Sequence, residues 1–165
     1  MKQTVIFTFL AFLFTGYAYA QSPDDMSKEH YDFIIEAKRF LADEGFTIKY
    51  DAGDESLNFK HEGYNYWIEI RDDEAPFYIR YHHEGFGADG LSANQMNVVL
   101  EAVNYANFNN DCGKAVFASE IVNRVTFSTE FFCSSVESFK STFYANLRAV
   151  HKIRDDVKTY YNEHQ

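Results

Sequence analysis

Between residues 46 and 82 the chain alternates apolar and polar side chains in four short runs. Phe46, Ile48 and Tyr50 are separated by Thr47 and Lys49, and Leu57 and Phe59 by Asn58, with Lys60 following. Tyr64, Tyr66, Ile68 and Ile70 enclose Asn65, Trp67 and Glu69. Phe77, Ile79 and Tyr81 interleave with Tyr78, Arg80 and His82. Successive side chains of a strand point to opposite faces, so each run predicts a strand with one apolar and one polar side. The breaks between runs are turn-rich: Asp51-Ala52-Gly53-Asp54, then Gly63, then 72–76. Connections this short suit an antiparallel meander with one wet face.

The apolar face needs a cover, and helical patterns on either side of the meander provide one. In 26–44, Phe33, Ile34, Ala37, Phe40 and Leu41 recur at helical spacing, and Gly45 is a natural stop. A second helix is expected from Ser92, which forms a capping-box pattern with Gln95. Met96, Val99, Leu100 and Val103 are its expected buried stripe. The segments 114–120 and 124–132 read as a hairpin. Ser134 and Glu137 then suggest a further capping box opening a long helix. In it Val136, Phe139, Phe143, Leu147, Val150, Ile153, Val157 and Tyr160 recur every three or four residues. The order α-β-β-β-β-α-β-β-α predicts an α+β fold, an antiparallel sheet with helices packed on one face. No repeat, low-complexity tract or long linker interrupts it, so 21–165 is expected to form one domain.

Residues 1–20 read as a signal peptide. Lys2 supplies the positive charge, 5–14 the short apolar core, and Ala18-Tyr19-Ala20 the small residues before the cleavage point. The run is too short for a membrane span, which takes about 20 apolar residues. The expected compartment is therefore periplasmic or extracellular. The whole chain has 15 Lys+Arg against 25 Asp+Glu, a net charge of −10. Removing 1–20 takes away only Lys2 among these residues, leaving 14 against 25 and a net charge of −11. Such a surface repels nucleic acid and anionic lipid.

In an oxidising compartment the two cysteines, Cys112 and Cys133, are disulfide candidates. If the second hairpin turns on Val122-Asn123, they face one another across the two strands, within bonding reach.

The remaining motifs do not point to a catalytic site. Gly85-Phe86-Gly87-Ala88-Asp89-Gly90 fits G-x-G-x-x-G between a strand and a helix. The preceding sheet reads as antiparallel, however, and no second parallel strand carries a ribose-binding acid, so a flexible connection is the better reading. His82 and His83 are neighbours on a strand and point to opposite faces. His30, His61, His151 and His164 are scattered without metal-ligand spacing. Asp51, Asp54 and Glu55 do not match a calcium loop. No serine sits in a nucleophile elbow. No catalytic residue, metal or cofactor is assigned on this basis, although catalytic carboxylates dispersed through the chain would escape such a reading.

One surface does attract attention. The wet side of the meander collects Thr47, Lys49, Asn58, Lys60, Asn65, Trp67, Glu69, Tyr78, Arg80 and His82, including the only tryptophan. Basic and aromatic residues together on a sheet face make a platform for an acidic or aromatic partner. Trp67, Tyr78, Arg80, Lys60, Lys49 and His82 are its candidate binding residues. The alternative is a solvated face with Trp67 tucked under a loop or helix.

Several segments also resemble the bacterial YbjN-like family. They are Leu41-Ala42-Asp43-Glu44-Gly45-Phe46, then Phe59-Lys60-His61-Glu62-Gly63 with the strand 64–70, and Asn104-Tyr105-Ala106-Asn107 followed by Lys114-Ala115-Val116. That family is similar in fold to type III secretion chaperones. The resemblance implies an α+β sheet with packed helices, often dimeric, that binds or protects other polypeptides, and it implies no catalytic residue. This chain departs from secretion chaperones in its export signal and its cysteine pair. The expected function is an exported, non-catalytic, chaperone-like protein-interaction module of the cell envelope, with a polypeptide partner and a possible homodimer. A small-molecule or glycan binder is the alternative reading, and an enzyme with dispersed carboxylates is the third.

Overall fold

The computed structural model describes residues 26–51, 55–118 and 123–165. The signal-peptide region and the expected turn residues 52–54 and Val122 lie outside them. The order of elements is α1 (Lys28–Asp43), β1 (Lys49–Asp51), β2 (Ser56–His61), β3 (Tyr64–Arg71), β4 (Phe77–Gly87), α2 (Ala93–Asn109), β5 (Lys114–Ala118), β6 (Arg124–Cys133) and α3 (Val136–His164). This is the α+β order expected from the sequence. The strands form a six-stranded sheet in the order β1-β2-β3-β4-β6-β5, and every neighbouring pair is antiparallel.

The alternation sorts the two faces as expected. Leu57, Phe59, Tyr66, Ile68, Ile70, Phe77, Ile79 and Tyr81 are buried, together with Val125 and Phe127 of β6. Against them pack Phe33, Ile34, Ala37 and Leu41 of α1, and Phe139, Phe143, Leu147, Val150, Ile153 and Val157 of α3. Ser27 caps α1, and Gly45 ends it at φ +89°, where its N–H reaches the Ala42 carbonyl at 3.0 Å. That left-handed stop suits a residue without a Cβ.

The Ser92–Gln95 capping box is present in both directions. The cap of α3 is Ser135, accepting from the Ser138 N–H at 3.2 Å, one residue beyond the expected Ser134. The buried stripe of α2 also differs from expectation. It runs through Val99, Ala102, Val103 and Ala106, whereas Leu100 is 41% exposed. The small alanines suit the side on which α2 meets α3 and β5.

The glycine motif has a packing explanation. β4 continues through Gly85 to Gly87, past the point where a connection was expected, and it pairs antiparallel with both neighbours. A Cβ on Gly85 would lie 2.4 Å from the Phe127 ring, so a close strand approach requires this glycine.

The cysteine expectation is overturned. β5 and β6 pair Ala118 with Arg124 and Lys114 with Ser128. This is three positions away from the register that a turn on Val122-Asn123 would impose, because five residues rather than two separate the paired ends. Cys133 instead lies opposite Phe77 of β4, buried on the covered face, while Cys112 is exposed before β5. Both are free thiols.

Asn107 explains one of the family-like segments. Its side-chain amide donates to the Ala115 carbonyl at 2.9 Å and accepts from the Ala115 N–H at 2.8 Å. The amide thus takes the place of a neighbouring strand for both polar groups of one β5 residue. Replacing Asn107 by Leu strands both groups and is expected to lower stability by about 1–3 kcal/mol in urea unfolding. Asn107→Asp, which keeps only the acceptor, should fall between that variant and the parent. Thiol labelling of the folded protein without a reductant should modify Cys112 alone. Cys133 should react only after unfolding, since burial raises its pKa and its Sγ is held at 3.1 Å from the Ser135 carbonyl.

Candidate functional site

The register assembles the open face of the sheet into cross-strand rows. One row crosses all six strands through Lys49, Asn58, Trp67, His82, Ser128 and Lys114. A second runs through Ser56, Glu69, Arg80 and Glu130, and a third through Arg71, Tyr78 and Phe132. Lys60 pairs with Asn65 at the hairpin end. All six candidate binding residues therefore share one face.

They do not share one environment. Glu69 sits at the centre of an ion-pair network, 2.6 Å from Arg71, 2.9 Å from His82 and 3.8 Å from Arg80. The close approach of His82 leads the effects that hold the Glu69 carboxyl below its ordinary range, with the Arg71 and Arg80 guanidinium groups adding to it against the cost of burial. Arg80 also reaches Glu130 at 3.4 Å. The guanidinium of Arg80 and the ring of His82 are thus largely engaged within the face. Trp67, half-buried, stacks on the His82 ring with centroids 5.4 Å apart, so the tryptophan lies on the sheet and not under a helix.

Lys49 and Lys60 are different. Both are exposed, and among the described residues neither has an ion-pair partner. With Thr47, Asn58, Asn65 and Trp67 they line a groove of about 430 Å³ between the 45–49 segment and the β2–β3 hairpin, with Phe46 and Phe59 on its apolar side. That volume falls in the range of small-ligand clefts, and it would also admit one or two side chains of a docked segment.

At the other end of the face, Phe132 is 69% exposed, and its ring meets Tyr78 edge-on at 5.9 Å. Phe132 was missed because only the meander was read as a binding face, whereas β6 joins the same sheet beside β4. The strand period, applied to each residue separately, places only Phe131 toward the core. Arg71, Lys114 and Arg124 also belong to this face. Its described residues hold six cations (Lys49, Lys60, Arg71, Arg80, Lys114, Arg124) against four carboxylates (Asp51, Glu69, Glu84, Glu130). In a chain of net charge −10 this is a local reversal of sign.

The arrangement suits holding a ligand by charge and stacking. Among the described residues no group of three or more His, Cys, Asp or Glu is placed to hold a metal ion, and no helix is long and apolar enough to cross a membrane.

No family model matches the chain, and no curated protein matches it in sequence. Solved structures do match. One is HopA1–SchA, a chaperone–effector complex, at 10% identity and a TM-score of 0.48, covering 76% of this chain and 94% of the matched one. Another is YbjN from E. coli, described as a candidate transcription regulator, at 10% identity and a TM-score of 0.55, covering 77% of this chain and 92% of that one. The family resemblance read from the residues thus has a structural counterpart: this chain is similar in fold to YbjN.

Proposed function

We propose that the protein is an exported, non-catalytic interaction module of the cell envelope that holds an acidic segment of another polypeptide on its open sheet face. The observation that carries this reading is the cationic excess of that face, with Trp67 and two unengaged lysines around a groove, in a strongly acidic chain. Opposite charge steers a partner to the face, and the aromatic groups supply contact area at small entropic cost. The ion pairs around Glu69 make the middle of the face rigid and self-satisfied, so recognition falls to its ends: Lys49, Lys60 and Trp67 at one, Tyr78 and Phe132 at the other.

The likeness to YbjN supports the fold and leaves function to the site. A role on DNA, as YbjN's description suggests for that protein, is opposed here by the net charge. Export rests on residues 1–20. A second reading has its own support: the volume of the groove beside Trp67 also suits a small acidic molecule or an acidic glycan, with the indole as a stacking surface.

Native mass spectrometry of the mature protein, isolated gently from its own cell envelope, tests both. A polypeptide held by the parent and lost from both Trp67→Ala and the Lys49→Glu/Lys60→Glu double variant, each melting normally, is the expected result. A bound glycan or small acid lost in the same variants would favour the second reading. An unchanged set of bound molecules in the variants would remove the face from the function.

A further inference from the structure

Three histidines distant in sequence meet where the β2–β3 hairpin touches α3. The His61 and His151 rings stack with centroids 5.8 Å apart. The carboxylate of Glu62 lies 3.8 Å from His61 Nε2 and 3.7 Å from His151 Nδ1. The Tyr66 hydroxyl is hydrogen-bonded to His151 Nε2. Beneath them His83, 1% exposed, is flanked by Tyr66 at 5.2 Å, Tyr64 at 5.6 Å and Phe127 at 5.2 Å. Among the described residues neither of its ring nitrogens has a hydrogen-bond partner of good geometry.

The surroundings are poorly suited to additional positive charge. From α3, the Arg154 guanidinium covers the Tyr64 ring at 4.1 Å, and the Lys158 ammonium lies 5.0 Å from the same ring. The nearby carboxylates are Glu62 and Asp155, whose side chains are 64% and 60% exposed and therefore well screened. β6 contributes only the uncharged Phe127. β3 contributes the Tyr64 and Tyr66 hydroxyls, and burial raises the pKa of Tyr66 well above the ordinary tyrosine range, so it stays neutral.

We infer that this cluster is a proton-operated latch: acidification charges His83 and His151, loosens the β2–β3 hairpin from α3, and so deforms the groove beside Trp67. The hairpin carries Asn58, Lys60, Asn65 and Trp67, so what loosens it alters the groove directly. The functional meaning of release rests on the binding reading above, but the latch itself belongs to the free protein.

The direction of the effect is set by the buried ring of His83 and the half-buried ring of His151. Burial holds His83 down to about 4, with Arg154, His151 and Lys158 adding to it and the Glu84 backbone opposing only in part. His151 is lowered too, by burial and then by Arg154. A histidine whose pKa is depressed on folding leaves stability intact above its unfolded value near 6.5. Below that value the unfolded chain takes the proton first, and stability falls until the folded value is reached. For His83 the window is therefore pH 6.5 down to about 4.

The test compares thermal unfolding at pH 7.5 and pH 5.0 for the parent, His83→Phe and His151→Gln, with Trp67 fluorescence followed at 20 °C. The parent is expected to lose roughly 6 °C more than His83→Phe between the two pH values. Its tryptophan emission should shift as the pH approaches the folded His83 value of about 4, and that shift should be absent from His83→Phe. His151→Gln, which keeps an acceptor for the Tyr66 hydroxyl and changes a more exposed ring, should recover part of the difference, and it serves alone if His83→Phe does not fold. An equal loss in parent and variants, or an emission unchanged down to about pH 3.5, would overturn the latch and leave the binding reading standing. Loss of the binding reading, seen with the Trp67 and lysine variants at pH 7.5, would leave the latch standing.

Discussion

The contact of α3 with the covered sheet face organises the rest of the molecule. Phe139 and Phe143 lie one turn apart on the helix. They meet Phe33 and Phe40 of α1 at 5.9 and 5.6 Å respectively, and Tyr81 of β4 at 6.1 and 5.8 Å. Burial of each such ring contributes about 2–3 kcal/mol, and each well-placed aromatic pair about 0.5–1.5 more. Exposed ion pairs of the kind found on the open face are worth about 0–1 kcal/mol each. Cohesion therefore comes from one side of the sheet. The other side carries little structural obligation, which is why cations, an indole and an exposed phenylalanine can accumulate there without threatening the fold.

The same pleat separates two adjacent histidines into unrelated roles. His82 lies on the open face, stacks on Trp67 and approaches Glu69 to 2.9 Å. His83, the next residue, is sealed among tyrosines and a buried arginine. A single-residue step along a strand separates the open face from the buried histidine cluster, and the hairpin between them is only two strands wide. Any change in how that hairpin sits is felt on both sides at once.

How much of this was legible follows from what periodicity can report. Face assignment needs only the neighbours along the chain, so the meander, the α1 stripe and the grouping of Lys49, Lys60, Trp67, Tyr78, Arg80 and His82 were readable from the sequence. The Ser92–Gln95 cap was legible for the same local reason, whereas Ser134 and Ser135 are chemically equal candidates and local pattern does not separate them. The α2 stripe misled because hydrophobicity favours Leu100, while close helix approach favours the small Ala102 and Ala106. The cysteine register depended on the length of one loop, and a slip of three residues moved the partners apart. The meeting of His61, His83 and His151 has no signature along the chain, since it arises from the hairpin register and the docking of α3 together.

The Asn107 amide on Ala115 has a consequence for how this sheet behaves among its own copies. A sheet ending in two adhesive strands propagates without limit, each added chain exposing a fresh edge. Here one terminal strand, β5, meets a side chain that imitates a neighbour, and α2 lies alongside it. The other terminal strand, β1, is three residues long. Open-ended growth needs both edges, so blunting β5 removes one of the two on which such a run would depend.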